Sequence, residues 1–204
     1  MNKIREKIKS AKPVSATDFF RVFREVQMEV GDRAVNAEKK IKIAMLTSFT
    51  KKGFEEVLSV KCIEVGIFPE FYVGDYNQYN QEILNEKSGL YAFDPDFIML
   101  FIDLRVVMGE YYFHPYDMND DARHGWAEKK LVEFKSLVNN IKEKTSAKIL
   151  LHNLEVPVYS PLGILENKQE FGLIESIEAI NVELRNFCKK DNQIFLFQVG
   201  YLYH

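Results

Sequence analysis

The chain alternates between two hydrophobic patterns. Short, nearly continuous apolar runs are typical of strands that are covered on both faces. Between them lie longer segments in which apolar residues recur every three or four positions, as in amphipathic helices. The predicted strands are 41–48, 70–74, 96–103, 148–153 and 193–199, and the predicted helices are 16–31, 51–65, 120–144 and 170–189. Strands that alternate with helices in this way indicate βαβ units.

This order of elements predicts an α/β fold with five parallel strands. Right-handed crossovers would wind the chain into a doubly wound, flavodoxin-like three-layer sandwich with strand order 2-1-3-4-5. We assign residues 37–204 to this domain. Residues 1–36 form a predicted N-terminal helical extension, which packs outside the sheet or against a neighbour.

Composition narrows the classes of function. The 204 residues are 47% hydrophobic and 28% charged, which suits one globular domain. A net charge of −3 with scattered lysines argues against nucleic-acid binding. The sequence has no apolar run as long as a membrane span, no secretory pattern at its start and only two cysteines, so we expect a cytoplasmic protein that does not bind membranes. Phosphate-loop, dinucleotide and zinc motifs are absent from the sequence, so neither a metal nor a cofactor is expected.

Polar residues follow the first four predicted strands, at the edge where open α/β sheets bind their ligands. They provide a hydroxyl, a glycine amide with polar neighbours, an acid–arginine pair and an imidazole. In chain order these are Ser48; Gly74, Asp75, Asn77 and Gln78; Asp103 and Arg105; His152 and Asn153. A nucleophile, a base and oxyanion donors are the parts of acyl-transfer chemistry. Taken singly, each residue has an ordinary role as a helix cap or a loop hydrogen bond, but the four strand ends together favour a site.

Two loops follow the third and fourth predicted strands. The aromatic loop (108–116) has the composition of a pocket rim, a partner surface or a small satellite core. The proline loop (156–163) contains two prolines and is predicted to lie, in a fixed shape, over the same edge as His152. The turn after the second strand has two equally supported interpretations: Asp75, Asn77 and Gln78 either line a cleft or simply begin a helix.

Four runs of the sequence resemble the N-terminal domain of FkbH-like proteins: IAMLTSFT, FYVGDYNQYNQEIL, SGLYAFDPDFIMLFIDLR and ILLHNLEVPVYSPLGIL. The resemblance covers nearly all of residues 40–199. That domain is of the SGNH/GDSL-hydrolase type. In the family it usually precedes a HAD-type (HAD-IIIC) phosphatase-like domain, in proteins that load a glyceryl unit onto an acyl carrier protein. The resemblance therefore implies a small acyl or glyceryl-type substrate and an acyl carrier protein as partner.

The same resemblance implies roles for individual residues. Ser48 matches the nucleophile, and Gly74 matches the glycine whose amide donates to an oxyanion. In the third block Asp103 replaces the usual glycine and Arg105 replaces the usual asparagine. Because arginine is a strong donor to anions, this departure suggests an anionic ligand or an oxyanion hole that is built differently.

A larger departure concerns the base. The Asp-x-x-His block that SGNH enzymes place after the last strand is not found here, so it either lies further along a longer polypeptide or is not used. Within this sequence His152 is the candidate for a substitute base, and the alternative is a role in loop hydrogen bonding or ligand contact. Two hypotheses follow. The domain is an ester- or thioester-handling hydrolase or acyltransferase with Ser48 as nucleophile, or it is a non-catalytic module that binds a carrier protein or a glyceryl-phosphate-type ligand for a neighbouring domain.

Overall fold

The structure is a computed structural model that describes residues 2–30, 39–50 and 52–199. The predicted extension and domain also include residues 1, 31–38, 51 and 200–204, which lie outside the described residues. The helices are α1 (Asn2–Ala11), α2 (Ala16–Val30), α3 (Phe54–Glu64), α4 (Tyr79–Leu84), α5 (Gly89–Phe93), α6 (Leu104–Met108), α7 (Asp120–Lys144) and α8 (Leu173–Lys189). The strands are β1 (Lys40–Thr47), β2 (Phe68–Val73), β3 (Phe97–Phe101), β4 (Lys148–His152) and β5 (Ile194–Phe197).

The five strands form one parallel sheet with the order β2-β1-β3-β4-β5, which confirms the predicted topology. Strand β2 begins two residues before its predicted start because Pro69 belongs to it, paired with Ile41. A proline is tolerated there because β2 is an edge strand and one side of its backbone needs no ladder partner.

Each face of the sheet has its own apolar cluster. On one face, α4, α5, α7 and α8 cover a core in which Ile98, Ile149 and Ile177 are fully buried. On the other face, α3 packs over Ile43, Met45 and the neighbouring residues of β1 and β2. Covering both faces explains why the strands are nearly continuous apolar runs.

The N-terminal helices α1 and α2 pack on the outer side of α3. Ile8, Val22, Val26 and Val60 are buried in this third cluster. Helix α2 begins with a reciprocal cap, in which the Asp18 amide donates to Ser15 Oγ (3.2 Å) and the Ser15 amide donates to the Asp18 carboxylate (3.1 Å). The extension is therefore joined to the rest of the domain mainly through α3.

Helix α3 ends one residue before the end of its predicted range 51–65, and Gly66 follows its C-cap residue, Val65. Gly66 has φ +87° and donates its amide to Ile63 O (2.9 Å), while the Ile67 amide donates to Cys62 O (2.9 Å). This is a Schellman-type C-cap, in which glycine adopts the left-handed conformation without a Cβ penalty. Helix α1 lies within the predicted N-terminal helical extension. The five-residue helices α5 and α6 were not predicted, because so few residues show too little periodicity. Within the described ranges, no helix combines the length and apolarity needed to cross a membrane.

Candidate functional site

A cavity of about 530 Å³ opens at the carboxyl ends of β3 and β4. This volume lies within the range of small-molecule sites, roughly 300–1,000 Å³. The polar side chains in its lining are those of Asp103, Arg105 and Glu155, which we call the polar wall. Apolar and aromatic side chains form the rest, among them Leu104, Met108, Tyr112, Phe113, Tyr159 and Leu173. The aromatic loop and the proline loop therefore both contribute to one pocket, which agrees with the pocket-rim interpretation of the aromatic loop.

The polar wall is organised by a bidentate ion pair. Asp103 is the N-cap of α6 and accepts from the Arg105 amide (2.8 Å), from Arg105 Nε (2.9 Å) and from Nη2 (2.8 Å). The hydrogen bonds from Arg105 lower the pKa of the Asp103 carboxyl. Asp103 uses only part of the guanidinium's donors, and the Arg105 side chain is 63% exposed, so the remaining N–H groups are available to a ligand.

The charge of this wall differs from what the sequence suggests. Asp103 neutralises Arg105, and Glu155 adds a second carboxylate beside the cavity. Two carboxylates and one guanidinium do not make a wall that attracts anions by net charge. The arrangement suits a neutral, hydrogen-bonding ligand better than a strongly anionic one.

Ser48 lies behind this wall. The residue is 2% exposed, its amide donates to Phe101 O (3.1 Å), and its Oγ accepts from the Asp103 amide (2.8 Å). Ser48 is not among the residues that line the cavity. Among the described residues, the Asp103 amide is what connects the Ser48 hydroxyl to the cavity lining.

Gly74 is buried at the end of β2, and its amide donates to Met45 O (3.0 Å). In this conformation the amide extends the pairing of β1 with β2 and is not directed to an oxyanion. A Cβ at Gly74 would lie 2.8 Å from Leu46 Cδ2, so the residue also permits close packing. The structure thus gives Gly74 a packing reason that is independent of chemistry.

The turn after Gly74 lies apart from the cavity lining. Asp75 and Asn77 are exposed, and Gln78 is half-buried. Asn77 has φ +57° and donates its amide to Thr47 O (3.1 Å), and the Gln78 amide donates to Asp75 O (3.2 Å). These hydrogen bonds form a tight turn into α4, although no side chain caps that helix.

His152 and Asn153 hold the end of β4. The Nδ1 atom of His152 lies 2.7 Å from Asn153 O, and its ring meets the Phe101 ring edge-on at 5.1 Å. Burial lowers the pKa of His152, so the imidazole is neutral at neutral pH. Asn153 joins β4 to the segment after β5, because its Oδ1 accepts from the Val199 amide (2.6 Å). Neither residue lines the cavity.

Sequence reasoning missed the residues that fasten the two loops. The Glu166 carboxylate accepts from the Tyr116 hydroxyl, from the Ser160 hydroxyl and from the Ile174 amide (2.9 Å). Tyr116 belongs to the aromatic loop and Ser160 to the proline loop. We call Tyr116, Ser160 and Glu166 the Glu166 cluster. A lone glutamate in a polar segment gives no sequence signal of burial, so only the folded chain reveals this cluster.

The Glu166 cluster is ionic at neutral pH. Burial alone would raise the pKa of Glu166, but the hydrogen bonds from Ser160, Tyr116 and Ile174 outweigh it and the pKa is lowered overall. Arg123, itself 2% exposed, lies over the Tyr116 ring at 5.1 Å and donates from Nε to Phe171 O (2.7 Å). The rim of the cavity is therefore fixed by buried polar bonds rather than by apolar contact alone.

The site residues that the sequence predicts thus fall into two groups. Asp103 and Arg105 line the cavity, and Ser48 is hydrogen-bonded directly to Asp103. Gly74, Asp75, Asn77, Gln78, His152 and Asn153 lie outside the lining. Within the described residues, no three His, Cys, Asp or Glu side chains are grouped so as to hold a metal ion.

Comparison with known proteins supports the family assignment. The family model described as "FkbH, N-terminal domain" matches residues 26–204. A search of curated proteins gives no match. A similar solved structure is the N-terminal part of the protein BF1531 from Bacteroides fragilis, which contains a phosphatase domain and was crystallised with Mg; identity is 19%, the TM-score is 0.69, and the match covers 87% of this chain. The chain spans 45% of that protein chain, and at this identity the likeness shows the fold.

Proposed function

The chain belongs to the family of FkbH N-terminal domains, and from this premise we propose that it is a cytoplasmic binding module. In this proposal the cavity between the ends of β3 and β4 holds the acyl- or glyceryl-bearing arm of an acyl carrier protein. The chemistry on that arm is done by another domain. The module positions its ligand and contributes no nucleophile.

The observation that supports this proposal most strongly is the state of Ser48. A serine nucleophile needs an accessible hydroxyl next to a base and next to free oxyanion donors. Ser48 is 2% exposed and accepts from the Asp103 amide, and the Gly74 amide already donates to Met45 O. The Ser48 hydroxyl and the Gly74 amide are thus already hydrogen-bonded to backbone groups, whereas the cavity beside them is open.

The lining of the cavity suits a pantetheine-like arm. Such an arm combines amide groups, which hydrogen-bond without net charge, with an apolar acyl end. Arg105 and Glu155 supply a donor and an acceptor to the cavity lining, and Met108 and Leu173 supply apolar surface. The mixture of a polar and an apolar wall matches that ligand better than free phosphate.

One observation favours the alternative of an ester- or thioester-handling enzyme. Burial lowers the pKa of His152 although the nearby Asp103 carboxylate acts to raise it, so an unprotonated imidazole lies near the Ser48–Asp103 contact. A hydrolase would require Ser48 Oγ to leave the Asp103 amide and reach both His152 and the substrate. Labelling of Ser48 by a fluorophosphonate probe, abolished in Ser48→Ala, would support this alternative.

Calorimetric titration with acetyl-pantetheine, with its glyceryl thioester analogue and with inorganic phosphate tests the proposal. We expect the two thioesters to bind and phosphate not to compete with them. Arg105→Ala should weaken binding by at least about tenfold, since a hydrogen bond to a charged group is worth roughly 1.5–3 kcal/mol. Arg21→Ala is the matched control, because Arg21 is a similarly exposed arginine that pairs with Asp18 on α2. If neither thioester binds the wild-type chain, or if Ser48 turns either over, the proposal is wrong.

A further inference from the structure

We propose that Ser48 is a positioning residue whose hydroxyl fixes the Asp103–Arg105 pair that forms the polar wall of the cavity. The inference deepens the proposed function and rests on it only for its ligand-binding consequence. It assigns Ser48 a role that needs no covalent chemistry.

The contacts form a continuous chain from β1 to the cavity. Ser48 is fixed to β3 because its amide donates to Phe101 O (3.1 Å). Its Oγ then accepts from the Asp103 amide (2.8 Å). The Asp103 carboxylate in turn holds Arg105 by its amide, Nε and Nη2. Two consecutive links, through the amide and the carboxylate of Asp103, therefore connect the buried Ser48 hydroxyl to the exposed Arg105 guanidinium.

The Asp103 amide needs a hydrogen-bond acceptor from outside helix α6. Asp103 is the N-cap of α6, and its own amide has no acceptor within the helix. In a capping box, a Glu or Gln at the third helical position accepts from this amide. The third position here is Val106, which has no acceptor in its side chain. Ser48, which lies at the end of β1, supplies that acceptor in its place.

Fixing this amide matters for the pair that follows. The Asp103 carbonyl accepts from the Val106 amide (3.0 Å), so both backbone groups of Asp103 are bonded. With its backbone held on both sides, Asp103 presents its carboxylate in one orientation to Arg105. Arg105 is 63% exposed and is therefore oriented by Asp103 rather than by packing.

The first test needs no ligand. The Arg105 Nε–H signal, measured by NMR and assigned by its loss in Arg105→Lys, reports the bond to Asp103 directly. We expect hydrogen exchange at Nε–H to accelerate about tenfold in Ser48→Ala and in Ser48→Cys, because a thiol is a weak acceptor. The Ser48→Cys variant keeps nearly the volume of serine, so it also serves if Ser48→Ala does not fold.

Ser88→Ala is the matched control. Ser88 is also a buried serine whose hydroxyl bonds to backbone (Glu82 O, 2.7 Å), but it belongs to the segment before β3 and not to the cavity. It should leave the Arg105 signal unchanged. If the signal is equally protected in wild type, Ser48→Ala and Ser48→Cys, the positioning role is wrong.

The second test measures the ligand consequence. Acetyl-pantetheine should bind Ser48→Ala and Ser48→Cys more weakly by the same factor, roughly three- to tenfold. A nucleophile would behave differently, because the thiol introduced by Ser48→Cys would retain reactivity and form a covalent adduct. A covalent adduct on that thiol would overturn the inference. If acetyl-pantetheine does not bind wild type at all, the proposed function fails, while the Arg105 Nε–H signal still decides whether Ser48 positions the pair.

Discussion

The two halves of the sheet's carboxyl edge contain similar residue types but use them differently. At the ends of β1 and β2, Ser48 Oγ and the Gly74 and Asn77 amides bond to neighbouring backbone. At the ends of β3 and β4, Asp103, Arg105 and Glu155 line an open cavity. These three groups of the first half are engaged in structural bonds, whereas the second half has polar side chains that line a cavity.

The difference teaches that the location of polar groups does not show whether they are available. Backbone amides at strand ends must be paired, and nearby hydroxyls and carbonyls satisfy them first. Among the described residues, no buried side-chain nitrogen or oxygen lacks a hydrogen-bond partner. A group that can bind a ligand is therefore one that keeps hydrogen-bonding capacity after this pairing, as the exposed Arg105 guanidinium does.

The largest effect on stability is expected at the Glu166 cluster, which holds the two loops beside the ends of β3 and β4. Glu166→Ala leaves two hydroxyls and the Ile174 amide without their acceptor, so we expect a loss of about 3 kcal/mol in the free energy of unfolding. Urea unfolding measures this change. Glu170→Ala is the control, since Glu170 is an exposed glutamate close by in sequence, and it should change stability by less than about 0.5 kcal/mol. Equal effects of the two variants would contradict the importance of the Glu166 cluster.

A smaller effect is expected in the β1–β2 half. Gly74→Ala places a Cβ 2.8 Å from Leu46 Cδ2, and we expect it to cost roughly 1–3 kcal/mol by overpacking, with acetyl-pantetheine affinity unchanged. Gly125→Ala should have the opposite effect on stability. A Cβ there meets nothing within 4 Å, so this helical substitution should stabilise by about 0.5–1 kcal/mol. Thermal unfolding measures the change in stability, and calorimetry measures the affinity for acetyl-pantetheine. A loss of binding in Gly74→Ala at unchanged stability would support an oxyanion role for the Gly74 amide.

The smallest effect is the dependence of stability on pH. The folded protein lowers the pKa of Glu166 below its usual value of 4.5 and also lowers that of Asp103. Each carboxylate therefore stabilises the fold above its unfolded pKa, and this contribution disappears as the pH falls through the folded pKa. Unfolding measured from pH 7 to pH 3 should show a smaller acid loss in Glu166→Gln than in wild type. An identical slope in the two proteins would show that Glu166 does not contribute.

Sequence periodicity predicted the fold well because parallel strands that are buried on both faces leave a strong signal. All five strands, the strand order and the helices α2, α3, α7 and α8 agree with the structure. The site was only partly predictable. Asp103 and Arg105 could be placed beside the strand ends from sequence, whereas the burial of Ser48 and the engagement of the Gly74 amide depend on contacts between segments distant in sequence. Glu155 and the Glu166 cluster follow from loop packing, for which local sequence gives no pattern.

The central claim is that the working surface is the cavity between β3 and β4 and not the hydroxyl of Ser48. Mapping of backbone amide shifts by NMR during titration with acetyl-pantetheine tests this most directly. The account predicts that the largest shifts fall on Arg105, Tyr112 and Tyr159, with little change at Gly74 and Asp75. Shifts centred on Gly74 and Asp75, or a covalent acyl group on Ser48, would contradict it.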